Sequence, residues 1–421
     1  MIQSPEINLD EYSVSSEHGF LSCDLPLVKL PHAHYAPWEA IAVQLPNLIQ
    51  NGQIRCLIEE LPVLTTALLE TEPEWRRAYS ILGFFTHAYI WGGEKPSDVL
   101  PPCIAKPFLE VSSHFELPPC ATYAALTLWN FTTAPGKILS DPENVSLITS
   151  FTGTKDEEWF IVISVAMEAK GGELISLMVD AISAATTYNV QLLTALLYRF
   201  VDGIRDLTIL LQRMYEKNDP DFFFHQLRPF LAGSKNMAAA GLPHGVYYDF
   251  GNGNGEWHQH SGGSNAQSSL IQTFDIFLGV NHAATGDIKL PQGTSYIQEM
   301  RNYMPAPHRR FLETLSTLCN IRPYVTSNEA ESPLKEAYNA AVLTLGAFRD
   351  VHIEIVTRYI IMPARNGSAA RQSSNTLNLA TGSSQVNSLV DSKPSGLYGT
   401  GGTSLIPFLK QTRDDTKAAA C

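Results

Sequence analysis

The strongest constraint on the fold is an apolar stripe that repeats with the period of an α-helix in two long stretches of the chain. The first stripe consists of Leu193, Leu197, Phe200, Ile204, Leu207, Leu211 and Met214. Its members are spaced alternately by four and three residues, so they share one face of a helix, which Asn218, Asp219 and Pro220 then end. Alternation with a period of two is confined to short stretches such as 160–165. The sequence therefore predicts a mainly α fold.

A second long helix is predicted from Ser332, a good N-cap residue, to Pro363. Its apolar stripe consists of Leu334, Tyr338, Ala341, Leu345, Phe348, His352, Ile355 and Tyr359. His352 lies in the middle of that face, where a buried imidazole needs a partner. Arg349 lies one turn earlier on the same side, and the pair suits heme, with the imidazole on the iron and the guanidinium on a propionate. A core histidine bonded to a carbonyl or carboxylate is the alternative, which helix geometry alone favours.

A proline-rich stretch at 93–119 divides the chain. It contains Pro96, Pro101, Pro102, Pro107, Pro118 and Pro119. We interpret it as a loop-rich connector and the best candidate for a domain boundary. The prediction is a small N-terminal helical domain, with its connector, at 1–119 and a large all-helical domain at 120–421.

The region 364–398 is rich in Ser, Asn and Gly and poor in aromatic residues. Such a composition cannot bury enough apolar surface to offset the entropy of ordering, so we predict a mobile loop. A glycine-rich turn at 399–404 and an amphipathic segment from Leu405 to about Lys417 follow it. A long loop beside a glycine-rich turn is often a lid over a site.

Charge and cysteine usage exclude several classes of function. The formal net charge is −13, with no compensating basic cluster, which argues against binding nucleic acid or anionic lipid. The first residues lack the pattern of a secretory signal, and no apolar run reaches the roughly 18 residues of a membrane helix. The six cysteines form no C-x-x-C pair, which is typical of a reducing compartment. We therefore expect a cytosolic protein.

Two other features carry weaker hypotheses. His32 and His34, and likewise His258 and His260, are separated by one residue and could share a face of a strand. A zinc or non-heme iron site, and hence a zinc hydrolase built on the second pair, is an alternative without an obvious third ligand. The glycine-rich run at 251–255 lacks the strand and the Lys-Ser/Thr of a phosphate loop, so turn chemistry explains it better.

Several segments together resemble the indoleamine 2,3-dioxygenase family. The C-terminal half carries five of them in the family's order, namely FFHQLRPFLAGSKN (223–236), GGSNAQSSLIQTFDIFLGV (262–280), MRNYMPAPHRRFL (300–312), FRDVHIEIVTRYIIMP (348–363) and YGTGGTS (398–404). The N-terminal half agrees more loosely at WEAIAVQLPNLIQNGQIR (38–55), HAYIWGG (87–93) and FELPPCATYA (115–124). The resemblance covers nearly the whole chain.

The resemblance implies a heme b enzyme that uses O2 to open the indole ring of L-tryptophan at C2–C3, giving N-formylkynurenine. His352 would be the proximal iron ligand. Asp275 and Arg349 would form an ion pair on the proximal side, near a heme propionate. The alternative for each of these two is a surface salt bridge to another group.

By the same matching, the distal pocket contains Tyr123, Leu126, Phe160, Ser164, Phe223, Arg228 and Leu231. Gly263, Ser264 and Asn265 would complete it against the cofactor. Arg228 would bind the substrate carboxylate, while Thr400 would hydrogen-bond it from the lid and Ser164 would tune the polarity. Aromatic walls suit a flat apolar indole, although Phe160 and Phe223 could also be ordinary core residues.

Two positions depart from the vertebrate form of the family. Leu126 stands where vertebrate members carry a small thiol, and Asn265 stands where they carry alanine; both affect substrate affinity. The long Ser/Asn-rich loop is more similar to fungal members. The alternatives are a heme-binding regulatory protein with low or altered indoleamine activity, and a non-heme scaffold in which His352 is a core residue. We expect a monomer, since no exposed apolar stripe is evident.

Overall fold

Helices dominate the fold, as the sequence periodicity predicts, in a computed structural model that describes residues 7–282, 295–328, 332–365 and 405–421. The α-helices are α1 Ala36–Gln50, α2 Ile54–Glu59, α3 Glu72–Trp91, α4 Pro102–His114, α5 Lys155–Thr186, α6 Val190–Gln212, α7 Met214–Lys217, α8 Pro220–Phe222, α9 Arg228–Leu231, α10 Ser269–Phe277, α11 Tyr296–Met300, α12 Ala306–Leu318, α13 Ile321–Ser327, α14 Ser332–Val356 and α15 Leu405–Lys417. The strands are β1 Val99–Leu100, β2 Phe131–Thr133, β3 Val145–Leu147, β4 Val246–Gly251 and β5 Asn254–His258.

The long helices α5, α6 and α14 form the centre of the fold, with α6 packed against both of the others. Both predicted stripes face inward. Every member of the stripe on α6 and Met214 is buried, and so is every member of the second stripe except His352. The side chain of Asn189 caps α6 by accepting a hydrogen bond from the backbone N–H of Leu192. The stretch 160–165, with its short alternation, lies inside α5.

The prediction of a loop-rich connector at 93–119 is wrong over its middle, where α4 forms. Pro102 occupies the first turn, where a missing N–H costs nothing, and Pro107 removes one interior hydrogen bond. Burial of Ile104, Phe108 and Val111 along one face offsets that loss. One apolar cluster runs from Val14 to Ala419 across this region, and the division at residue 119 remains a prediction.

The strands are too short for their alternation to be visible in the sequence. β1 pairs in parallel with β4, β4 pairs antiparallel with β5, and β2 pairs antiparallel with β3. The glycine-rich run at 251–255 makes the β4–β5 hairpin turn. Gly251, Asn252 and Gly253 there have φ angles of 80°, 58° and 77°, in the region that favours glycine and asparagine.

Of the C-terminal predictions, the structure describes the segment that begins at residue 405 and almost none of the region 364–404. The amphipathic segment is helix α15, which packs against α14. The glycine-rich turn at 399–404 lies outside the described residues, as does the predicted loop 364–398 except for its first two residues. Across the described ranges, no helix combines the length and hydropathy needed to cross a bilayer.

A buried ion pair joins α1 to α3. Arg77 donates from Nε and Nη2 to the two carboxylate oxygens of Glu39, at 3.1 and 2.7 Å, and from Nη1 to Thr149 at 2.8 Å. The backbone N–H of Leu30 donates to the same carboxylate. Both charged side chains are at most 5% exposed, so each depends on the other for solvation.

We expect Glu39→Ala to lower the free energy of unfolding by about 3–5 kcal/mol, because it leaves the Arg77 guanidinium buried and unpaired. Chemical denaturation followed by circular dichroism measures the loss. Lys155→Ala is the control, since it removes an exposed partner of Glu158 and should change stability by at most about 1 kcal/mol. Equal losses in the two variants would contradict the assignment.

Candidate active site

One large cavity, of about 270 Å³, lies between α5, α10, α14, α15 and the loop at 262–268, which we call the 262–268 segment. Its walls are mostly apolar. All the predicted site residues in the described ranges line it: Tyr123, Leu126, Phe160, Ser164, Phe223, Arg228, Leu231, Gly263, Ser264, Asn265, Asp275, Arg349 and His352. Thr400 lies outside the described residues. The fold therefore gathers groups far apart in sequence around one space.

His352 contributes its imidazole to the wall formed by α14. Within the described ranges neither ring nitrogen has a hydrogen-bond partner, so the carbonyl or carboxylate of the core-histidine alternative is not found there. Burial, with the positive charge of Arg349, lowers the pKa of His352 to about 4. The ring is therefore neutral at physiological pH, which is the form that ligates a metal. A neutral, unpartnered imidazole among apolar walls fits the axial ligand of a heme.

The predicted pair of Asp275 and Arg349 is present at one end of the cavity. Arg349 donates from Nη2 to both carboxylate oxygens of Asp275, at 2.7 and 2.8 Å, and from Nη1 to the carbonyl of Thr412 at 3.0 Å. Burial acts to raise the pKa of Asp275, but Arg349 and His282 outweigh it and hold the pKa below its usual value. These contacts join α10, α14 and α15 and place a guanidinium where a cofactor carboxylate could bind.

His282 also contacts Asp275, although no sequence pattern predicts it as a site residue. Its Nε2 lies 3.0 Å from Asp275 and its Nδ1 lies 3.4 Å from Asp415. The imidazole thus bridges a carboxylate on α10 and a carboxylate on α15. Four side chains therefore meet at this end of the cavity, where the sequence predicts only the pair of Asp275 and Arg349.

Three aromatic rings form the wall farther along the cavity. The ring centroids of Phe160 and Phe223 are 4.9 Å apart at an interplanar angle of 51°. Phe223 also meets Tyr359 edge to face at 5.8 Å. The Tyr359 hydroxyl donates to the carbonyl of Asn218 at 2.8 Å, which fixes that ring. Such a wall suits a flat apolar ligand.

Arg228 supplies a positive charge in the same cavity. Its side chain is fully buried, and its guanidinium carbon lies 5.7 Å from the ring centroid of Phe224. Burial lowers the pKa of Arg228 to about 10, so the group stays protonated near neutral pH. A buried guanidinium in a cavity lined mostly by apolar groups is a strong site for a carboxylate.

Three short π-helical segments carry cavity residues. They are Ala124–Leu128, Phe223–Leu227 and Thr357–Ile361, and they contribute Leu126, Phe223 and Tyr359 to the lining. A π turn adds one residue to a helical turn and so redirects the side chains after it, which is common at functional sites. The 3.6-residue periodicity used to predict the helices does not reveal these segments.

The 262–268 segment packs closely against the pocket wall. A Cβ on Gly263 would lie 2.4 Å from the Cδ1 atom of Leu126, and one on Gly262 would lie 2.1 Å from the carbonyl oxygen of Leu231. Gly262 is therefore required by the close approach of backbone, whereas a side chain at Gly263 would require Leu126 to move. Leu126, the departure from the vertebrate form, fills the space beside Gly263.

Glu168 also lines the cavity and is not among the predicted site residues. Phe160, Ser164 and Glu168 are spaced by four residues and so share one face of α5, and that spacing was the available signal.

The zinc alternative gains no support from the histidine pair at 258 and 260. The two rings stack with centroids 5.3 Å apart. Across the described ranges, no group of three or more His, Cys, Asp or Glu residues is placed to hold a metal ion. Burial lowers the pKa of His260 to about 3, so that ring is a neutral part of the wall between β5 and α9.

Comparison with known proteins gives a consistent result. The family model described as indoleamine 2,3-dioxygenase matches residues 8–419. An indoleamine 2,3-dioxygenase of Penicillium citrinum is 42% identical, over 99% of this chain and 89% of its own length. The indoleamine 2,3-dioxygenase of Saccharomyces cerevisiae is 42% identical, over 98% and 93%. A 6-hydroxytryptophan 2,3-dioxygenase of Fusarium equiseti is 40% identical, over 97% and 96%.

We expect Asp275→Ala to lower the free energy of unfolding of the cofactor-free protein by about 3–5 kcal/mol, because Arg349 would keep a buried charge without its carboxylate. Asp350→Ala is the control, because Asp350 follows Arg349 directly on α14. It removes partly exposed ion pairs with Arg413 and Lys417 and should cost at most about 1 kcal/mol. A loss at Asp275 no larger than at Asp350 would show that the proximal pair does not hold α10 and α14 together.

Proposed function

The chain belongs to the indoleamine 2,3-dioxygenase family, and on that premise we propose that it is a heme-dependent enzyme acting on L-tryptophan. The reaction inserts both atoms of O2 across the C2–C3 bond of the indole, giving N-formylkynurenine. The observation that carries the proposal is the neutral, unpartnered imidazole of His352 in a cavity that also holds an aromatic wall and the buried charge of Arg228.

His352 would hold the iron of heme b, and Arg349, oriented by Asp275, would face a propionate. When bound, the heme supplies an iron centre that activates O2. The protein residues would then bind and orient the second reactant. Buried apolar side chains around the cavity exclude water, and no carboxylate or imidazole is needed to move a proton from the indole.

Arg228 would bind the tryptophan carboxylate and thereby fix the distance of the indole from the cofactor. Phe160 and Phe223 would contact the faces of the ring. Ser164, which is 7% exposed and lines the cavity, would tune the polarity near it. Thr400 remains the predicted second partner of the carboxylate, together with the predicted lid.

A second substrate is favoured by a specific observation. One relative of similar identity is named for 6-hydroxytryptophan, and Leu126 and Asn265 change the pocket from its vertebrate form. A ring-substituted tryptophan is therefore the alternative substrate, and a heme-binding regulatory protein with low activity is the alternative role. The acidic charge supports a protein that binds neither nucleic acid nor anionic lipid, and the scattered cysteines support a cytosolic location. That the protein is a monomer remains a prediction from the sequence.

The first experiment expresses the protein with a heme precursor and records its absorption spectrum before and after reduction, CO and L-tryptophan. We expect a Soret band that shifts with CO, and N-formylkynurenine as product in air. His352→Ala should lose most of the heme, because the iron would lose the side chain that holds it. Wild-type heme content together with normal activity in that variant would overturn the proposal. Heme without product in the wild-type protein would favour the regulatory role or another indoleamine.

We expect Arg228→Met to lower kcat/KM for L-tryptophan by about 100-fold, because a charge-assisted pair with the carboxylate is lost. Heme content should stay unchanged. Tryptamine, which lacks the carboxylate, is the control substrate, and its turnover should be the same in the variant and the wild type. An equal loss with both substrates would mean that Arg228 supports the fold rather than substrate binding.

A further inference from the structure

Glu168 places a carboxyl group at the edge of the cavity, and no cation of the described residues pairs with it. The residue lies on α5, one turn after Ser164, and is 1% exposed. No Lys, Arg or His in the described part of the chain forms an ion pair with it or shifts its pKa. A buried glutamate without a cation is rare, because removing a carboxyl group from water is costly. Its hydrogen bonds must therefore account for its presence.

One oxygen of Glu168 joins two parts of the pocket. The hydroxyl of Tyr123 donates to Oε1 at 3.0 Å, and the hydroxyl of Ser268 donates to the same atom at 2.7 Å. Tyr123 is part of the cavity wall, and Ser268 is the last residue of the 262–268 segment and the N-cap of α10. A single acceptor thus fixes the wall, the segment and α10 to α5.

Gln267 ties the same parts together through the backbone. It accepts from the N–H of Tyr123 at 2.8 Å and donates from Nε2 to the carbonyl of Gly262 at 2.8 Å. The start of the 262–268 segment is therefore held to the backbone of Tyr123, and its end is held to the side chain of Tyr123 through Glu168. Buried networks of this kind fix a geometry because each member loses its partner if another moves.

We propose that Glu168 is a positioning residue of this enzyme: it holds Tyr123 and the 262–268 segment at the separation that the indole ring requires. This inference rests on the proposed function for the identity of the substrate. Glu168 acts as a hydrogen-bond acceptor, not as a charge and not as an acid or base in the reaction. A neutral group of the same shape, with an oxygen in the same place, should therefore hold Tyr123 and the 262–268 segment equally well.

The chemistry of the two donors agrees with this role. Burial raises the pKa of Glu168 to about 7, against the opposing effect of the bonds from Ser268 and Tyr123. Burial and the neighbouring Glu168 raise the pKa of Tyr123 well above its usual value, so its hydroxyl stays a donor. Oε1 can accept both bonds whether the carboxyl is ionised or protonated.

The test compares Glu168→Gln, whose amide oxygen can accept both bonds, with Glu168→Leu, which has no acceptor. We expect Glu168→Leu to raise KM for L-tryptophan about tenfold or more, with kcat changed less, because two buried donors lose their partner. Glu168→Gln should stay within about threefold of the wild type. Tyr123→Phe alone should raise KM, but combining it with Glu168→Leu should raise KM little beyond the value of Glu168→Leu alone.

Glu157→Leu is the matched control, since it removes another buried carboxyl from α5. Glu157 accepts backbone hydrogen bonds from Phe151 and Thr152 and does not line the cavity. That variant should lose stability but keep the wild-type KM. A similar rise in KM in both leucine variants would overturn the proposal, and so would equal damage from Glu168→Gln and Glu168→Leu.

Hydrogen exchange supplies a measurement that does not depend on turnover. Amides of the 262–268 segment should exchange faster in Glu168→Leu than in the wild type or in Glu168→Gln, with and without heme. If Glu168→Leu does not fold, Ser268→Ala and Tyr123→Phe should each show part of the same increase. Unchanged exchange of the 262–268 amides in all these variants would overturn the positioning role of Glu168.

The two proposals fail separately. If the wild type does not turn over L-tryptophan, the proposed function fails, but the exchange rates still decide whether Glu168 holds the 262–268 segment.

Discussion

Burial of one apolar face of α14 against α6 determines where the proposed iron ligand lies. Seven of the eight residues in that stripe are buried core residues, and His352 is the eighth. Because the neighbours above and below it on the helix are packed, the imidazole has little freedom and is held at the cavity wall. The helix thus serves at once as a core element and as the support of the proposed iron ligand.

The polar groups around the cavity divide into those that the protein satisfies and those that it leaves for a ligand. Asp275 and Arg349 pair with each other, and Oε1 of Glu168 receives two hydroxyl donors. Within the described ranges, Oε2 of Glu168 and Nε of Arg349 have no hydrogen-bond partner. His352 has no hydrogen-bond partner within the described ranges. Since burial penalises an unpartnered polar group, an imidazole in which neither nitrogen has a partner is a group that an external ligand would satisfy. Satisfied pairs hold the geometry in which that partner would bind.

The substrate side of the cavity depends on close packing between irregular segments. The glycines of the 262–268 segment let the backbone approach Leu126 and Leu231, and π turns direct Leu126, Phe223 and Tyr359 inward. A small change of side chain here alters the space left for the benzo ring of an indole. Of two relatives of about equal identity, one is named for indoleamine and the other for 6-hydroxytryptophan.

Periodicity determined the long helices, the face that each one buries and the position of His352, because an amphipathic pattern is a local property of consecutive residues. The family segments further predicted the residues that now line one cavity. The sequence alone did not reveal α4, which the prolines concealed, nor the short strands and π turns. It also did not reveal His282 or Glu168, whose partners lie up to 133 residues away. Those features depend on contacts between distant segments, and only tertiary packing decides which distant groups meet, because buried polar atoms must find partners wherever the fold brings them.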